Sequence, residues 1–262
     1  MNLDLSNKKA LVCGSTQGLG LASAIELSLL GADVILLSRN GENLKEALKK
    51  LDQSKGQKHH HLVADFQFPE QVEHVVKEFL GEGNTVNILV NNTGGPKGGN
   101  AMDATADDFI SAFQSHLICN QLLVQSVLPS MKASGFGRII NIISISVKEP
   151  IAGLAVSNTI RGAVAAWSKT LANELGEFGI TVNNVLPGYT RTARYNSIIK
   201  NKAASSGINE KIIEEKIKAQ IPLGEIGQPE LFGAAVAFLC SPSASYITGI
   251  NLPVDGGILG CL

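Results

Sequence analysis

Short runs of β-branched and other apolar residues alternate along this chain with longer stretches in which apolar residues recur every three or four positions. The short runs have the composition of buried strands, and the longer stretches have the period of amphipathic helices. Repeated strand–helix units form a parallel sheet with helices on both faces, joined by right-handed crossovers. The sequence therefore predicts one α/β domain, residues 1–262, built on a doubly wound parallel sheet of about seven strands.

The predicted strands are residues 10–13, 34–37, 62–64, 88–90, 139–143, 182–186 and 250–253. The predicted helices begin near Leu19, Glu42, Glu70, Asp107, Ser157 and Pro229. The alternation lapses over residues 189–221, a polar stretch with one further predicted helix at 210–218. An insertion of this length in a compact domain is typical of a lid over a binding site, and the alternative is a solvated connector.

A glycine-rich loop follows the first predicted strand and precedes the first helix. Its sequence is Gly14-Ser15-Thr16-Gln17-Gly18-Leu19-Gly20. In this context Gly14 permits a tight turn, Gly18 lets the backbone approach a pyrophosphate, and Gly20 allows close helix–strand packing, while the helix N-terminus presents free N–H groups. The loop therefore predicts a dinucleotide-binding site.

The end of the second predicted strand bears on which dinucleotide is bound. An acidic side chain about 20 residues after such a loop would hold the ribose hydroxyls of NAD. Ser38 and Arg39 stand there instead, and no carboxylate lies between Asp33 and Glu42. Because a guanidinium can pair with a 2'-phosphate, NADP is favoured over NAD. The alternative is that Arg39 is an ordinary exposed charge.

Segments at the ends of the later strands resemble the short-chain dehydrogenase/reductase family, and the resemblance covers essentially the whole chain. These segments are Asp65-Phe66, Asn91-Asn92-Thr93-Gly94-Gly95, Pro187-Gly188-Tyr189-Thr190, Tyr246-Ile247-Thr248-Gly249 and Val254-Asp255-Gly256-Gly257. The resemblance implies a Rossmann-type fold and a homodimer or homotetramer. It also implies cofactor contacts from Asp65, Phe66, Asn92, Thr93, Gly94, Pro187, Gly188 and Thr190. Cys13 and Thr93 depart from the family, which commonly has Thr and Ala there.

The catalytic residues of the family are only partly present. The family uses an Asn, a Ser after the fifth strand, and a Tyr followed four residues later by a Lys. Ser144 matches the Ser, and His116 stands at the Asn position. Ser157 stands in place of the Tyr and Arg161 in place of the Lys. The resemblance thus implies a site with Ser144, Ser157, Arg161 and His116, in which Arg161 also contacts the cofactor.

Loss of the Tyr matters because carbonyl reduction needs a hydride and a proton for the developing alkoxide. A phenol has a pKa of ~10 that can be tuned towards neutrality, whereas the shorter Ser157 hydroxyl is a far weaker acid. Arg161 retains a positive charge that can bridge the nicotinamide ribose or stabilise an oxyanion. Water, His116 or a lid tyrosine, Tyr189 or Tyr195, would then supply the proton.

These candidates each have a structural alternative. His116 shares a predicted helical stripe with Phe113, Asn120, Val124 and Val127, so it could be a packed residue. The two tyrosines could simply line the pocket.

Composition and spacing exclude several other classes of protein. The formal net charge of -1 gives no reason to expect a nucleic-acid or anionic-lipid partner. The N-terminus lacks a long apolar stretch behind a basic start, and no apolar run approaches 18 residues, which predicts a cytoplasmic protein without a membrane partner. The four cysteines, Cys13, Cys119, Cys240 and Cys261, lack metal-site or disulfide spacing. Consecutive His59, His60 and His61 point to alternate faces of a strand, so no metal site is predicted. Apolar surface around Trp167 would mark a subunit interface.

Two functions remain open. The first is an NADP(H)-dependent oxidoreductase that reduces a small-molecule carbonyl, most similar to the family's 3-oxoacyl thioester reductases, with a non-standard acid. The second is a catalytically inactive dinucleotide-binding sensor or structural subunit. Retention of Ser144 favours the enzyme, and loss of the Tyr and the Lys favours the second function.

Overall fold

The computed structural model describes residues 1–261. Within them, seven parallel strands form one sheet in the order β3-β2-β1-β4-β5-β6-β7. The strands are β1 (Lys9–Cys13), β2 (Asp33–Ser38), β3 (His60–Val63), β4 (Ile88–Asn91), β5 (Gly137–Ile142), β6 (Ile180–Pro187) and β7 (Asn251–Val254). The predicted α/β class and all seven predicted strands are confirmed, with bounds that differ by up to two residues.

Helices connect the strands. They are α1 (Gly18–Leu29), α2 (Gly41–Leu48), α3 (Pro69–Gly81), α4 (Ala106–Phe113), α5 (Cys119–Ser134), α6 (Ala155–Leu175), α7 (Ala193–Ser206), α8 (Glu210–Lys218) and α9 (Pro229–Cys240). The predicted starts lie within two residues of the observed ones, and the predicted helix at 210–218 is confirmed. The sequence did not predict α7 or the division between α4 and α5.

The core lies on both faces of the sheet because alternate strand residues point to opposite sides. Val34 and Leu36 pack in the cluster covered by α1 and α9, whereas Ile35 and Leu37 pack in the cluster covered by α3 and α5. All four side chains are fully buried. Because helices cover both faces of the sheet, both alternating sets of strand residues are buried, and the strands are therefore almost continuously apolar.

A chain of asparagine side chains crosses four neighbouring strands. Asn91 donates to Asn141, Asn141 donates to Asn184, and Asn184 donates to Asn251, with N–O distances of 2.9, 3.0 and 2.8 Å. Asn141 also donates to Ser168 of α6. Because each asparagine is in register with the next, the chain of amides fixes the alignment of β4 to β7.

A π-helical turn, Gln114–Ile118, joins α4 to α5 and carries His116. The extra residue in such a turn rotates the helix, so the predicted stripe through Phe113 and His116 is not continuous. Phe113 is exposed, whereas His116 and Asn120 are buried. Single-turn π segments occur frequently at functional sites.

The segment 189–221 is largely helical. Helices α7 and α8 pack together around an apolar cluster of their own, with Tyr195 and Ile199 from α7 and Ile213 and Ile217 from α8. Arg191 and Glu214 form an ion pair with an N–O distance of 2.8 Å beside it. The segment therefore has its own small core. Its predicted role as a lid stays a prediction.

Candidate active site

The candidate site lies at the carboxyl edge of the sheet, where the loops after β1, β4, β5 and β6 meet. Open α/β sheets bind ligands at this edge. Gly14 and Gly18 have φ values of +55° and +59°, a left-handed conformation that L side chains rarely adopt. The conformation of the loop after β1 therefore requires glycine at both positions.

Asn92, directly after β4, holds the glycine-rich loop in place. Its Nδ2 donates to the carbonyl oxygens of Cys13 and Gly14, at 3.3 and 3.1 Å. A Cβ added to Gly20 would lie 2.4 Å from the Gly14 oxygen and 2.7 Å from Asn92 Nδ2. Gly20 is thus required because the loop, the helix and Asn92 approach one another too closely for a side chain.

The N-terminus of α1 suits an anion. Its N-cap, Gln17, makes no side-chain capping hydrogen bond, and the first turn contains no acidic residue. Ser15 is buried, whereas Thr16 is half-buried and Leu19 is half-buried beside it. Free N–H groups and the helix dipole at such an end bind phosphates. The loop 14–20 as folded fits the pyrophosphate of a dinucleotide.

At the end of β2, Ser38 is half-buried and Arg39 is exposed. Within residues 1–261 the Arg39 side chain makes no hydrogen bond or ion pair. Asp65 and Phe66 follow β3, the neighbouring strand. Asp65 Oδ1 accepts from the Gln67 backbone N–H at 3.0 Å, and Phe66 packs against the core. The guanidinium of Arg39 is therefore free to pair with a ligand.

Ser144 and Arg161 come together at the end of β5. Arg161 Nη1 donates to the carbonyl oxygen of Ile142, two residues before Ser144, at 3.0 Å. Ser144 Oγ accepts from the Ser146 backbone N–H at 3.0 Å. The serine hydroxyl thus begins a tight turn beside the arginine, and its own proton is available to an acceptor.

Arg161 is a buried cation with 8% of its surface exposed. Burial, followed by the positive charge of Arg194, lowers the pKa of its guanidinium to about 10. No carboxylate in residues 1–261 forms an ion pair with it. A buried charge without a counter-ion is costly, so Arg161 favours a ligand that carries or develops negative charge.

His116 lies against Thr93, since Thr93 Oγ1 and His116 Nδ1 share a hydrogen bond. Burial holds the pKa of the imidazole well below its usual range, and the positive charge of Arg161 acts in the same direction. His116 is therefore neutral at pH 7. The ring also borders a cavity of about 430 Å³ that Gly94, Ser115 and Val156 help to line.

Ser157 follows Val156 in the first turn of α6 and is half-buried. Within residues 1–261 its hydroxyl makes no hydrogen bond. The neighbouring Asn158 donates to the Ile151 carbonyl oxygen at 2.9 Å. The start of α6 is thus fixed by Asn158, and the Ser157 hydroxyl remains free.

The loop after β6 packs on the C-terminal segment. A Cβ on Gly188 would lie 2.7 Å from Asp255 Cα, so only glycine fits. Pro187 ends β6, and Thr190 Oγ1 donates to the Gly188 carbonyl oxygen at 3.4 Å. The Asp255 carboxylate accepts from the Gly257 and Leu259 N–H groups. The tail after β7 therefore shapes the wall on which Gly188 and Thr190 lie.

Two residues at the start of the segment 189–221 are placed at the site by the structure and were not predicted from sequence. Thr192, the N-cap of α7, lies against Gly18, with Cγ2 3.5 Å from the position of a Gly18 Cβ. Arg194 Nη2 donates to the Pro96 carbonyl oxygen at 3.0 Å. Thr192 as an N-cap is a helix-start signal that could have revealed α7 and hence both residues.

The two tyrosines of the segment 189–221 differ in exposure, since Tyr195 is buried and Tyr189 is half-buried. Tyr195 is buried with 3% of its surface exposed, and burial, followed by the Glu214 charge, raises the pKa of its phenol to about 12. Tyr189 packs against it edge to face, with ring centroids 6.2 Å apart. The hypothesis that Tyr195 supplies the proton is wrong, because its side chain belongs to the core of α7 and α8.

The remaining candidates from sequence have structural roles. His59 Nδ1 accepts from the Val34 N–H, and its Nε2 lies 2.8 Å from the Asp52 carbonyl oxygen. Within residues 1–261, no group of three or more histidine, cysteine, aspartate or glutamate side chains is placed so that it could hold a metal ion. Trp167 is half-buried and donates to Gln121. Cys13, Cys119 and Cys240 are buried free thiols, and Cys261 is exposed.

Comparison with known proteins identifies the family. A sequence profile described as "Enoyl-(Acyl carrier protein) reductase" matches residues 14–259. The 3-oxoacyl-[acyl-carrier-protein] reductase FabG of Aquifex aeolicus is 31% identical over 98% of this chain and 100% of its own length. Dehydrogenase/reductase SDR family member 4 of Oryctolagus cuniculus is 33% identical over 97% of this chain and 94% of its own length.

The chain belongs to the short-chain dehydrogenase/reductase family.

Solved structures of family members agree in fold. The NADPH-dependent reductase YwfH, involved in bacilysin biosynthesis, superposes with a TM-score of 0.92 at 28% identity, over 98% of this chain and 100% of YwfH. The L-sorbose reductase of Gluconobacter frateurii, solved with NADPH and L-sorbose, gives 0.93 at 30% identity over all of both chains. The Rossmann-type prediction is confirmed, and these short-chain reductases use NADPH. In residues 1–261, no helix is both long enough and apolar enough to span a bilayer.

Proposed function

We propose that this chain is an NADPH-dependent reductase of a small-molecule carbonyl compound. The environment of Arg161 is the observation that carries the proposal. Arg161 is buried without a counter-ion, and its guanidinium donates a hydrogen bond to the carbonyl oxygen of Ile142, two residues before Ser144. The cation of Arg161 and the hydroxyl donor of Ser144, at the carboxyl edge of the sheet, can stabilise a carbonyl oxygen that becomes an alkoxide. Family relatives named as NADPH-dependent reductases support the same activity.

The cofactor part of the proposal rests on the glycine-rich loop and Arg39. Residues 14–20 bind the pyrophosphate, and Ser38 and Arg39 bind the 2'-phosphate of the adenosine ribose. Asp65 and Phe66 border the adenine. Residues 92–94, Arg161, Pro187, Gly188 and Thr190 hold the nicotinamide half. NADPH, when bound, supplies the hydride.

The chain's own residues then handle the oxygen and the proton. Ser144 donates a hydrogen bond to the carbonyl oxygen, and Arg161 stabilises the charge that develops on it. Ser157 adds a second hydroxyl donor but is too weak an acid to release its proton. His116 completes the set as the group that moves protons, since it is the titratable side chain beside Arg161 and a cavity. The acid is therefore not the phenol that the family uses.

The substrate class follows from the family resemblance. We propose that the substrate is an acyl thioester or a similar carbonyl compound. A 3-oxoacyl thioester is the first candidate, because FabG relatives are named for that activity. L-sorbose reductase shows that the same fold also accommodates a ketose, so ketoses belong in the same panel.

The test is loss of NADPH absorbance with a panel of a short 3-oxoacyl thioester, ketoses, aldehydes and quinones. We expect turnover above a protein-free control, and a loss of about 10²- to 10³-fold in kcat/KM in Arg161→Met, as for removal of an oxyanion-stabilising group. Glu174→Gln is the matched control, since it also removes a charge from α6 but is exposed. Equal activity of wild type and Arg161→Met would contradict the proposed role of the guanidinium.

The second candidate is a dinucleotide-binding sensor or structural subunit without catalysis. The absence of a phenol at position 157, together with the burial of Tyr195, favours it. It predicts NADPH binding without turnover of any carbonyl. The double change Ser157→Tyr with Arg161→Lys separates the two candidate functions. If an inactive wild type becomes active, the site is a reductase site that has lost its catalytic Tyr and Lys. If an active wild type loses activity, Ser157 and Arg161 belong to a different set of catalytic residues.

We also propose that the chain is cytoplasmic and that it assembles as a homodimer or homotetramer, the assembly that the family resemblance implies. The apolar side chains of Ile110, Phe113 and Ile118 are exposed on α4 and the π turn. Contiguous exposed apolar residues are typical of subunit interfaces. Light scattering on wild type and Phe113→Asp tests this: the variant should dissociate, and a monomeric wild type would contradict the proposal.

A further inference from the structure

Thr93 and His116 are both departures from the family pattern, and they contact each other. Thr93 lies two residues beyond Asn91 at the end of β4, and His116 lies in the π turn between α4 and α5. Their side chains share a hydrogen bond between Thr93 Oγ1 and His116 Nδ1. A hydroxyl and an imidazole, which can both donate and accept protons, thus stand where the family pattern has a methyl group and an amide.

The second ring nitrogen of His116, Nε2, lies in a different environment from Nδ1. Within residues 1–261, Nε2 has no hydrogen-bond partner. His116 borders the cavity of about 430 Å³, whose lining includes polar and charged side chains. A cavity of that size with polar walls holds water. One ring nitrogen therefore meets Thr93, and the other is left for cavity water.

The charges around the ring keep it neutral. Arg161 approaches from α6, Lys97 lies in the loop after β4, and Asp107 and Asp108 lie on α4 at the cavity. Burial and Arg161 dominate and hold the pKa of His116 well below its usual range. A neutral imidazole is not an acid at pH 7, but it can release a proton from one nitrogen while it gains one at the other.

We propose that Thr93 and His116 form a proton relay that replaces the missing phenol. A proton from cavity water binds Nε2 as the Nδ1 proton passes to Thr93 Oγ1, and the Thr93 hydroxyl proton passes to the alkoxide oxygen held by Ser144. The carbonyl carbon gains a hydride and its oxygen gains one solvent proton, so the alcohol forms and His116 ends neutral as the other tautomer. Thr93 and Ser144 are suited to this because they follow neighbouring strands, β4 and β5.

The relay rests on the proposed reductase function, but its first test does not need turnover. ¹⁵N NMR of histidine-labelled protein reports the tautomer and protonation of each imidazole, and His116→Asn assigns the signal of His116 among the five histidines. We expect His116 in wild type to stay neutral through the pH range in which an ordinary imidazole titrates, and we expect a changed tautomer ratio in Thr93→Val. A His116 that titrates near pH ~6.5, or one unaffected by Thr93→Val, overturns the relay.

The second test is kinetic. Thr93→Val keeps the shape but removes the hydroxyl, and we expect kcat to fall about 10²-fold, a typical contribution of proton transfer, while KM for NADPH changes much less. Thr93→Ser, which restores the hydroxyl, should rescue most of kcat. In mixtures of H₂O and D₂O, kcat should follow a curved dependence on the D₂O fraction in wild type, because several protons move together, and a linear one in Thr93→Val.

The outcomes separate the two proposals. Active wild type with an active Thr93→Val, or equal losses in Thr93→Val and Thr93→Ser, overturns the relay and leaves the reductase standing. Inactive wild type that binds NADPH overturns the reductase, and the relay as a catalytic device with it, whatever the NMR result.

Discussion

Gly20→Ala tests how the sheet edge is built for the cofactor. An alanine Cβ would lie 2.4 Å from the Gly14 carbonyl oxygen and 2.7 Å from Asn92 Nδ2, so these atoms must separate by up to about 1 Å to reach ordinary contact. Overpacking of this kind costs about 1–3 kcal/mol. The shift also strains the two Asn92 hydrogen bonds, each worth about 0.5–1.5 kcal/mol.

We therefore expect the free energy of unfolding to fall by about 2–5 kcal/mol. If only about 2 kcal/mol of the strain falls on the loop that holds the pyrophosphate, the Kd for NADPH rises about 30-fold. Urea unfolding and NADPH fluorescence titration measure the two effects. Gly81→Ala at the end of α3 is the control, because its Cβ meets nothing within 4 Å. Equal stability and equal NADPH affinity in Gly20→Ala and wild type would refute the reasoning.

Three further predictions concern separate features. Arg39→Ala should raise the Kd for NADPH about 10-fold and leave that for NADH unchanged, since an exposed charge-assisted bond to phosphate is lost; an equal change for both cofactors would contradict the role of Arg39. Asn141→Val should lower the free energy of unfolding by about 3 kcal/mol in urea titration, because it removes the partners of the Asn91 Nδ2 donor and the Asn184 Oδ1 acceptor, whereas exposed Asn196→Val should change it little. Tyr195 has a folded pKa of about 12, above its unfolded value, so its contribution to stability is complete below pH ~10 and is lost as the pH rises through about 12. Tyr195→Phe should therefore show a smaller loss of stability than wild type over that range, and parallel curves would argue against it.

Local sequence predicted most of the fold because strands and helices depend on side-chain periods within a few residues. The helix at 210–218 was predicted with its observed bounds because its apolar residues and its Asn209 cap lie within one short segment. Helix α7 was missed because its sequence is mostly polar, and its apolar side chains find their partners on α8 and on the segment that follows α8. The π turn was missed because one inserted residue scarcely alters a helical pattern.

Some residues of the candidate site could likewise be predicted from local sequence, and others could not. The glycine-rich loop and Ser144 could be placed from sequence because each follows a predicted strand. Arg161 was placed by the family resemblance, from its spacing after Ser144. The burial of Tyr195 could not, because a tyrosine near a site and a tyrosine in a small core have the same local sequence. The structure shows that its phenol lies among isoleucines of α7 and α8 rather than at the site.

The sequence by itself determined the alternation of strands and helices, the glycine conformations after β1 and the replacement of the family's Tyr and Lys by Ser157 and Arg161. Tertiary structure alone decided that Thr93 meets His116, 23 residues away, and that Asn92 holds the Gly14 loop, 78 residues away. The physical reason is range: propensity and periodicity act between neighbours in the chain. Contacts across strands depend on the register and packing of the whole sheet.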